Sequence, residues 1–127
     1  MRTILRMLRT IVKSGSARLR DMLVVNRFRV PDGDAETFRA DLDRARATLA
    51  GCSGYLDGRI GRNVDEPTLW VLVTTWDGPG AYRRALSSYD VKLNAVPVLG
   101  RAVDEPGAYE IVDPETVLNV ASGRSLG

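Results

Sequence analysis

The stretch Thr68 to Trp76, reading TLWVLVTTW, constrains the fold more than any other part of the chain. Its β-branched and aromatic residues favour extended backbone. Trp70, Leu72, Thr74 and Trp76 share one side, and Leu69, Val71, Val73 and Thr75 the other, so this strand needs cover on both faces. A second strand is as clear. In MLVVNRFRVPDG, from Met22 to Gly33, Val24, Asn26, Phe28 and Val30 alternate with Leu23, Val25, Arg27 and Arg29 until Pro-Asp-Gly stops the run. Asn26 is an amide on an otherwise apolar strand face. Such a group needs hydrogen-bond partners, which neighbouring backbone or water can supply and a ligand can supply equally well. It is the first candidate for a functional residue.

Between and beyond these strands the spacing supplies the other elements. Asp34 stands where it can cap a helix whose apolar positions Ala35, Phe38, Leu42, Ala45 and Leu49 lie on one face, with Gly51 at its end. Its charged outer side, including Arg39, Asp41, Asp43, Arg44 and Arg46, reads as a solvated face. Tyr55 to Arg62 alternates weakly and joins the Thr68–Trp76 strand through a five-residue turn, making a hairpin. Asp-Gly-Pro-Gly at 77–80 breaks the strand, and Ala81 to Ser88 starts a second helix with Tyr82, Ala85 and Leu86 inward. A further helical piece runs from about Asp90 towards Pro97, which is expected to end or kink it. Gly107 to Val112 is the last short strand. Asp-Pro-Glu-Thr from Asp113 has the form of a helix start, so one or two turns are expected there before a loose end. Val-Asp-Glu-Pro occurs at 64–67 and again at 103–106, each time just before a strand, and reads as reused turn chemistry.

The resulting order, βαββαβ over residues 22–112, is an α+β, ferredoxin-like arrangement: a four-stranded antiparallel sheet with two helices on one face. The helices cover one side only. The other would expose Leu23, Val25, Leu69, Val71 and Val73, a patch that a second copy could hide, so a twofold homodimer is expected. The 127 residues thus divide into an extension at 1–21, one domain at 22–112 and a tail at 113–127.

Composition removes several kinds of chemistry. One cysteine, Cys52, allows no internal disulfide, and with no histidine there is no soft or imidazole cluster for zinc or iron. A reducing, cytoplasmic setting is expected. Ser-His-Asp and Cys-His catalysis lose their usual base. No uncharged apolar run approaches the roughly 18–20 residues of a membrane span. The net charge of +2 conceals a basic leader, since residues 1–21 carry about +5 and leave about −3 for the rest, so the body is not a nucleic-acid binder. In that leader Ile4, Leu8, Ile11 and Val12 recur at helical spacing against a stripe of Arg2, Arg6, Arg9 and Lys13. Three readings stand for it: a membrane-surface anchor, a packing arm, or an over-extended start with Met22 as the true first residue.

The chain resembles the antibiotic biosynthesis monooxygenase domains, small dimeric α/β-barrel proteins. The likeness covers Met22 to Val112. Its carriers are VVNRFRVPDG at 24–33, the Gly51–Leu56 segment, and VTTWD at 73–77 followed by Ala81 and Tyr82. The resemblance implies oxygen insertion into an aromatic polyketide-like or phenolic substrate by dioxygen, with no metal, haem, flavin or other cofactor. It also implies roles. Asn26 matches the family's strand-one asparagine and is the catalytic candidate, hydrogen-bonding the substrate oxygen. Trp76 would wall an aromatic slot or pack the core. Arg27 and Arg29 would face the dimer barrel, steadying an anionic substrate or forming interface ion pairs. Tyr82 and Tyr89, on or beside the second helix, are further substrate-binding candidates. The haem-degrading branch of the superfamily looks similar, but it needs a tryptophan on the second helix and a histidine ligand, where this chain offers Ala85, about Ala95 and no histidine. From another class, the alternative is a non-catalytic dimer that binds a small apolar ligand or serves a structural role.

Overall fold

The computed structural model describes residues 21–118. The leader expected to form an amphipathic helix, apart from Asp21, and the tail from 119 onwards lie outside the described residues. The elements are β1 (Met22–Arg29), α1 (Ala35–Ala50), β2 (Tyr55–Arg62), β3 (Leu69–Trp76), α2 (Pro79–Ser87), α3 (Tyr89–Asn94), α4 (Val96–Leu99) and β4 (Ala108–Glu110). The strands form one antiparallel sheet in the order β2-β3-β1-β4. This is the α+β, ferredoxin-like arrangement expected from the strand and helix periods. No helix among the described residues is long and apolar enough to cross a membrane.

Register explains why one sheet face carries the core. β1 pairs with β3 so that Val24 faces Thr74, Asn26 faces Leu72 and Phe28 faces Trp70. Every second residue of both strands therefore lies under the helices, and Val24, Phe28, Val30, Trp70, Leu72, Thr74 and Trp76 are buried. Helix α1 answers with Phe38, Leu42, Ala45 and Leu49, spaced four, three and four apart, all buried. Phe38 sits 5.1 Å from Phe28 and 5.6 Å from Trp70, ring centroid to ring centroid. Each large side chain withdrawn from water here contributes about 1.5–3 kcal/mol. The opposite face is only half-covered: Leu23, Val25, Leu69, Val71 and Val73 are half-buried, and Tyr109 is 48% exposed.

Four local expectations change. Asp34 holds the N-cap position of α1 but makes no cap bond; a 3-10 turn over Asp32–Asp34 leads into the helix instead, with the Asp34 N–H donating to Pro31 O at 2.9 Å. Pro97 neither ends nor kinks the helical piece before it. The break falls at Ala95, and Pro97 lies in the first turn of α4, where its missing N–H has no intrahelical partner to lose. The last strand keeps three residues of the six expected. After Asp113 there is a turn rather than a helix: the Asp113 carboxylate accepts the Glu115 N–H at 2.9 Å and the Thr116 hydroxyl at 3.0 Å, but no helical ladder follows among the described residues.

Candidate functional site

The centre of β1 meets an interrupted sheet edge. β4 pairs with β1 only from Met22 to Val24, and the Val25 N–H then donates to Gly107 O at 2.7 Å. The next contact is the Val103 N–H donating to Arg27 O, also at 2.7 Å. Between these anchors Asp104, Glu105 and Pro106 loop out of the edge. Pro106 brings no N–H to a ladder. Gly107 must stay a glycine, because a Cβ there would lie 2.9 Å from Val25 O. The detour leaves room beside Asn26.

That room is an open cleft of about 500 Å³ between the sheet and the segment following α4. Asn26 and Val24 form its floor, Tyr82 of α2 stands on one side, and Leu99 to Gly107 supply the far wall. Half-buried Asn26 makes no hydrogen bond through its carboxamide to any described residue, and neither does the Tyr82 hydroxyl. The two side chains therefore present unused donors and acceptors to one space. Burial pushes the Tyr82 phenol above its ordinary range, so it stays protonated and able to donate at neutral pH. The cleft combines Val24, Leu99, Ala102 and Val103 with these convergent polar groups and with Asp104 and Glu105.

The other candidate residues fall elsewhere. Trp76 is fully buried below the cleft rather than lining it: its ring stands 5.3 Å from Tyr82 and 5.4 Å from Tyr55, and its indole N–H donates to the Thr74 hydroxyl at 2.9 Å. It supports the Tyr82 ring from beneath. Arg27 and Arg29 project from the opposite sheet face. Arg27 donates through Nε and Nη2 to the two oxygens of Glu105 at 2.7 and 2.6 Å, and Arg29 Nη1 to Glu66 at 2.8 Å. Tyr89, at the start of α3, is 81% exposed and away from the cleft lining. So Asn26 and Tyr82 are brought together, Trp76 lies behind them, and Arg27, Arg29 and Tyr89 are kept apart. Among the described residues no group of His, Cys, Asp or Glu is arranged to hold a metal ion.

The sequence model for antibiotic biosynthesis monooxygenases matches residues 22–93. The chain belongs to this family. SnoaB, a cofactor-independent oxygenase from Streptomyces nogalater, superposes with a TM-score of 0.64 at 25% identity, over 76% of this chain and 97% of SnoaB; its N63A mutant gives 0.65. A conserved protein from Methanosarcina mazei Go1 shares the fold at a TM-score of 0.61 and 16% identity, over 72% of this chain and 93% of its own. No curated protein matches the chain. The family match ends at 93, short of the cleft's far wall, so Leu99, Gly100, Ala102, Val103, Asp104 and Gly107 are lining residues that neither the family pattern nor the sequence reading singled out. The available signal was the second Val-Asp-Glu-Pro, whose proline marks where the edge strand cannot pair.

Proposed function

We propose that this member of the family is a cofactor-independent monooxygenase that oxidises an aromatic polyketide-like or phenolic molecule with dioxygen. The observation that carries the reading is the unengaged Asn26 carboxamide facing the same cleft as a protonated Tyr82 phenol. SnoaB, similar over nearly its whole length, is a cofactor-independent oxygenase. The electron-rich ring supplies the reducing power: once deprotonated, an anthrone or phenol can pass an electron to dioxygen, and the protein's task is to bind it out of water and stabilise its oxyanion. Asn26 serves as the donor to that oxygen, with Tyr82 beside it. With an anthrone, the methylene carbon becomes a carbonyl and the second oxygen atom leaves as water.

The reading includes a homodimer, with residues 22–112 as the catalytic domain, 1–21 an extension and 113–127 a tail, working in a reducing cytoplasm. Support for the dimer is the half-covered apolar face of Leu23, Val25, Val71 and Val73, on which the charges of Arg27 and Arg29 are already matched by carboxylates of the same chain.

The test is oxygen uptake with 1,8-dihydroxyanthrone in the presence of a metal chelator. Wild type is expected to consume one dioxygen per anthraquinone formed, and Asn26→Ala to lose about 100- to 1,000-fold in kcat, the scale of removing one oxyanion donor. An Asn26→Ala protein as fast as wild type removes the assigned role. A wild type that binds the anthrone without consuming oxygen identifies a ligand-binding dimer instead.

A further inference from the structure

The outer wall of the cleft is held from the far side of the sheet. Between Val103 and Gly107 the looped-out segment has no backbone bond to β1, and two side chains tether it: Arg27 takes the Glu105 carboxylate in a bidentate grip, and the Tyr109 hydroxyl donates to Pro106 O at 3.2 Å. Arg27 pairs in register with Val71 and Tyr109 with Leu23, so both tethers rise from the face opposite the cleft. The grip on Glu105 is the stronger, being charge-assisted, two-pronged and short. The other Val-Asp-Glu-Pro turn does the same thing on the other flank of β1, where Glu66 pairs with Arg29 two residues along. Each copy of the tetrapeptide thus delivers a glutamate to one of two successive same-face arginines, but only the second copy borders the cleft.

We propose that Arg27 is a positioning residue for the Asn26 cleft: through Glu105 it holds the Asp104–Pro106 segment as the cleft's outer wall. Arg27 touches no substrate. It fixes how closely Val103 and Asp104 approach a molecule bound over Asn26, and so acts on binding more than on the chemical step. The cleft's role as a substrate site rests on the proposed function; the clasp itself does not.

Arg27→Met keeps the apolar stem and removes the charge, and Glu105→Gln removes the partner. In the full chain, hydrogen exchange at the Val103 and Val25 amides, the two that bond across this edge, is expected to quicken about fivefold to tenfold in either variant while exchange in β3 stays at the wild-type rate. The double variant is expected to be no faster than either single, the signature of two groups acting as one unit. Arg29→Met, which releases the other turn, should leave exchange at Val103 and Val25 unchanged. With 1,8-dihydroxyanthrone, KM is expected to rise about threefold to tenfold with kcat within about twofold. Wild-type exchange at Val103 and Val25 in Arg27→Met overturns the clasp. Faster exchange with an unmoved KM overturns its positioning role. A wild type that leaves the anthrone unoxidised overturns the proposed function instead, and the exchange comparison still decides the clasp.

Discussion

Asn26 interrupts an apolar strand face without the hydrogen bonds that would explain it as a core residue. A side chain in that position contributes little to stability, because removing it abandons no buried partner. Asn26→Ala should therefore change the unfolding free energy by no more than about 0.5–1 kcal/mol, even as it costs activity. Denaturant unfolding beside the oxygen assay separates the two effects, and a large loss of stability would return Asn26 to a structural role. Trp76 should behave in the opposite way. Fully buried between Tyr55 and Tyr82, it should cost about 3–5 kcal/mol when truncated to alanine. Trp76→Phe, which keeps a ring under Tyr82, should leave KM within about twofold, whereas a tryptophan that contacts substrate would show a larger change. Tyr82 carries a pH signature. Its folded value is raised by burial, so the unfolded chain ionises first; the stability linked to Tyr82 is complete below the ordinary phenol range and is lost as pH rises from there through the raised value. Ultraviolet titration of the folded chain should show a late-ionising component that shrinks in Tyr82→Phe, and an identical profile in that variant would contradict the assignment.

Among the elements, those with a strong local period were legible and those decided by distant pairing were not. The two-residue alternation of Met22–Val30 and Leu69–Trp76 fixed which side chains share a face, and the four-three-four spacing of Phe38, Leu42, Ala45 and Leu49 fixed the buried side of α1. The same alternation put Asn26 on the face under the helices, whereas Tyr82, like Tyr89, entered as a site candidate through the family resemblance. The far wall of the cleft has no such period. Its shape follows from where the chain returns to the edge of β1, from the missing N–H of Pro106 and from the close backbone approach at Gly107, none of which local spacing contains. The same reason hid the partners of Arg27 and Arg29, since Glu105 and Glu66 stand 78 and 37 residues away. Pro97 misled because a proline reads as a helix stop unless the preceding turn has already broken, as it has at Ala95. The link from α1 to β2 offers a further test. Gly54 has φ +89°, and a Cβ there would overlap Ala81 Cβ, so Gly54→Ala should cost about 2–4 kcal/mol, measured by denaturant unfolding. A wild-type midpoint would show that this turn and α2 can part freely.

For the whole molecule, the half-covered sheet face sets the expectation. A second copy seated on Leu23, Val25, Val71 and Val73 would complete the sandwich, and an interface of the usual size, about 1,200–2,000 Å², would suffice for a stable dimer. Sedimentation at about 10 μM should give a dimer for wild type and a folded monomer for Val73→Asp, because an aspartate at the centre of that face must be desolvated to associate. A monomeric wild type would remove the second copy from the account. The central claim, that substrate binds over Asn26 between Tyr82 and the Leu99–Gly107 wall, is tested most directly by nuclear magnetic resonance of the isotope-labelled chain titrated anaerobically with 1,8-dihydroxyanthrone. The largest shifts should fall on the Asn26 side-chain amide and on the backbone amides of Tyr82, Gly100, Val103 and Gly107. Shifts confined to the groove between α1 and α4, at Arg44, Asn94 and Arg101, with Asn26 unmoved, would contradict it.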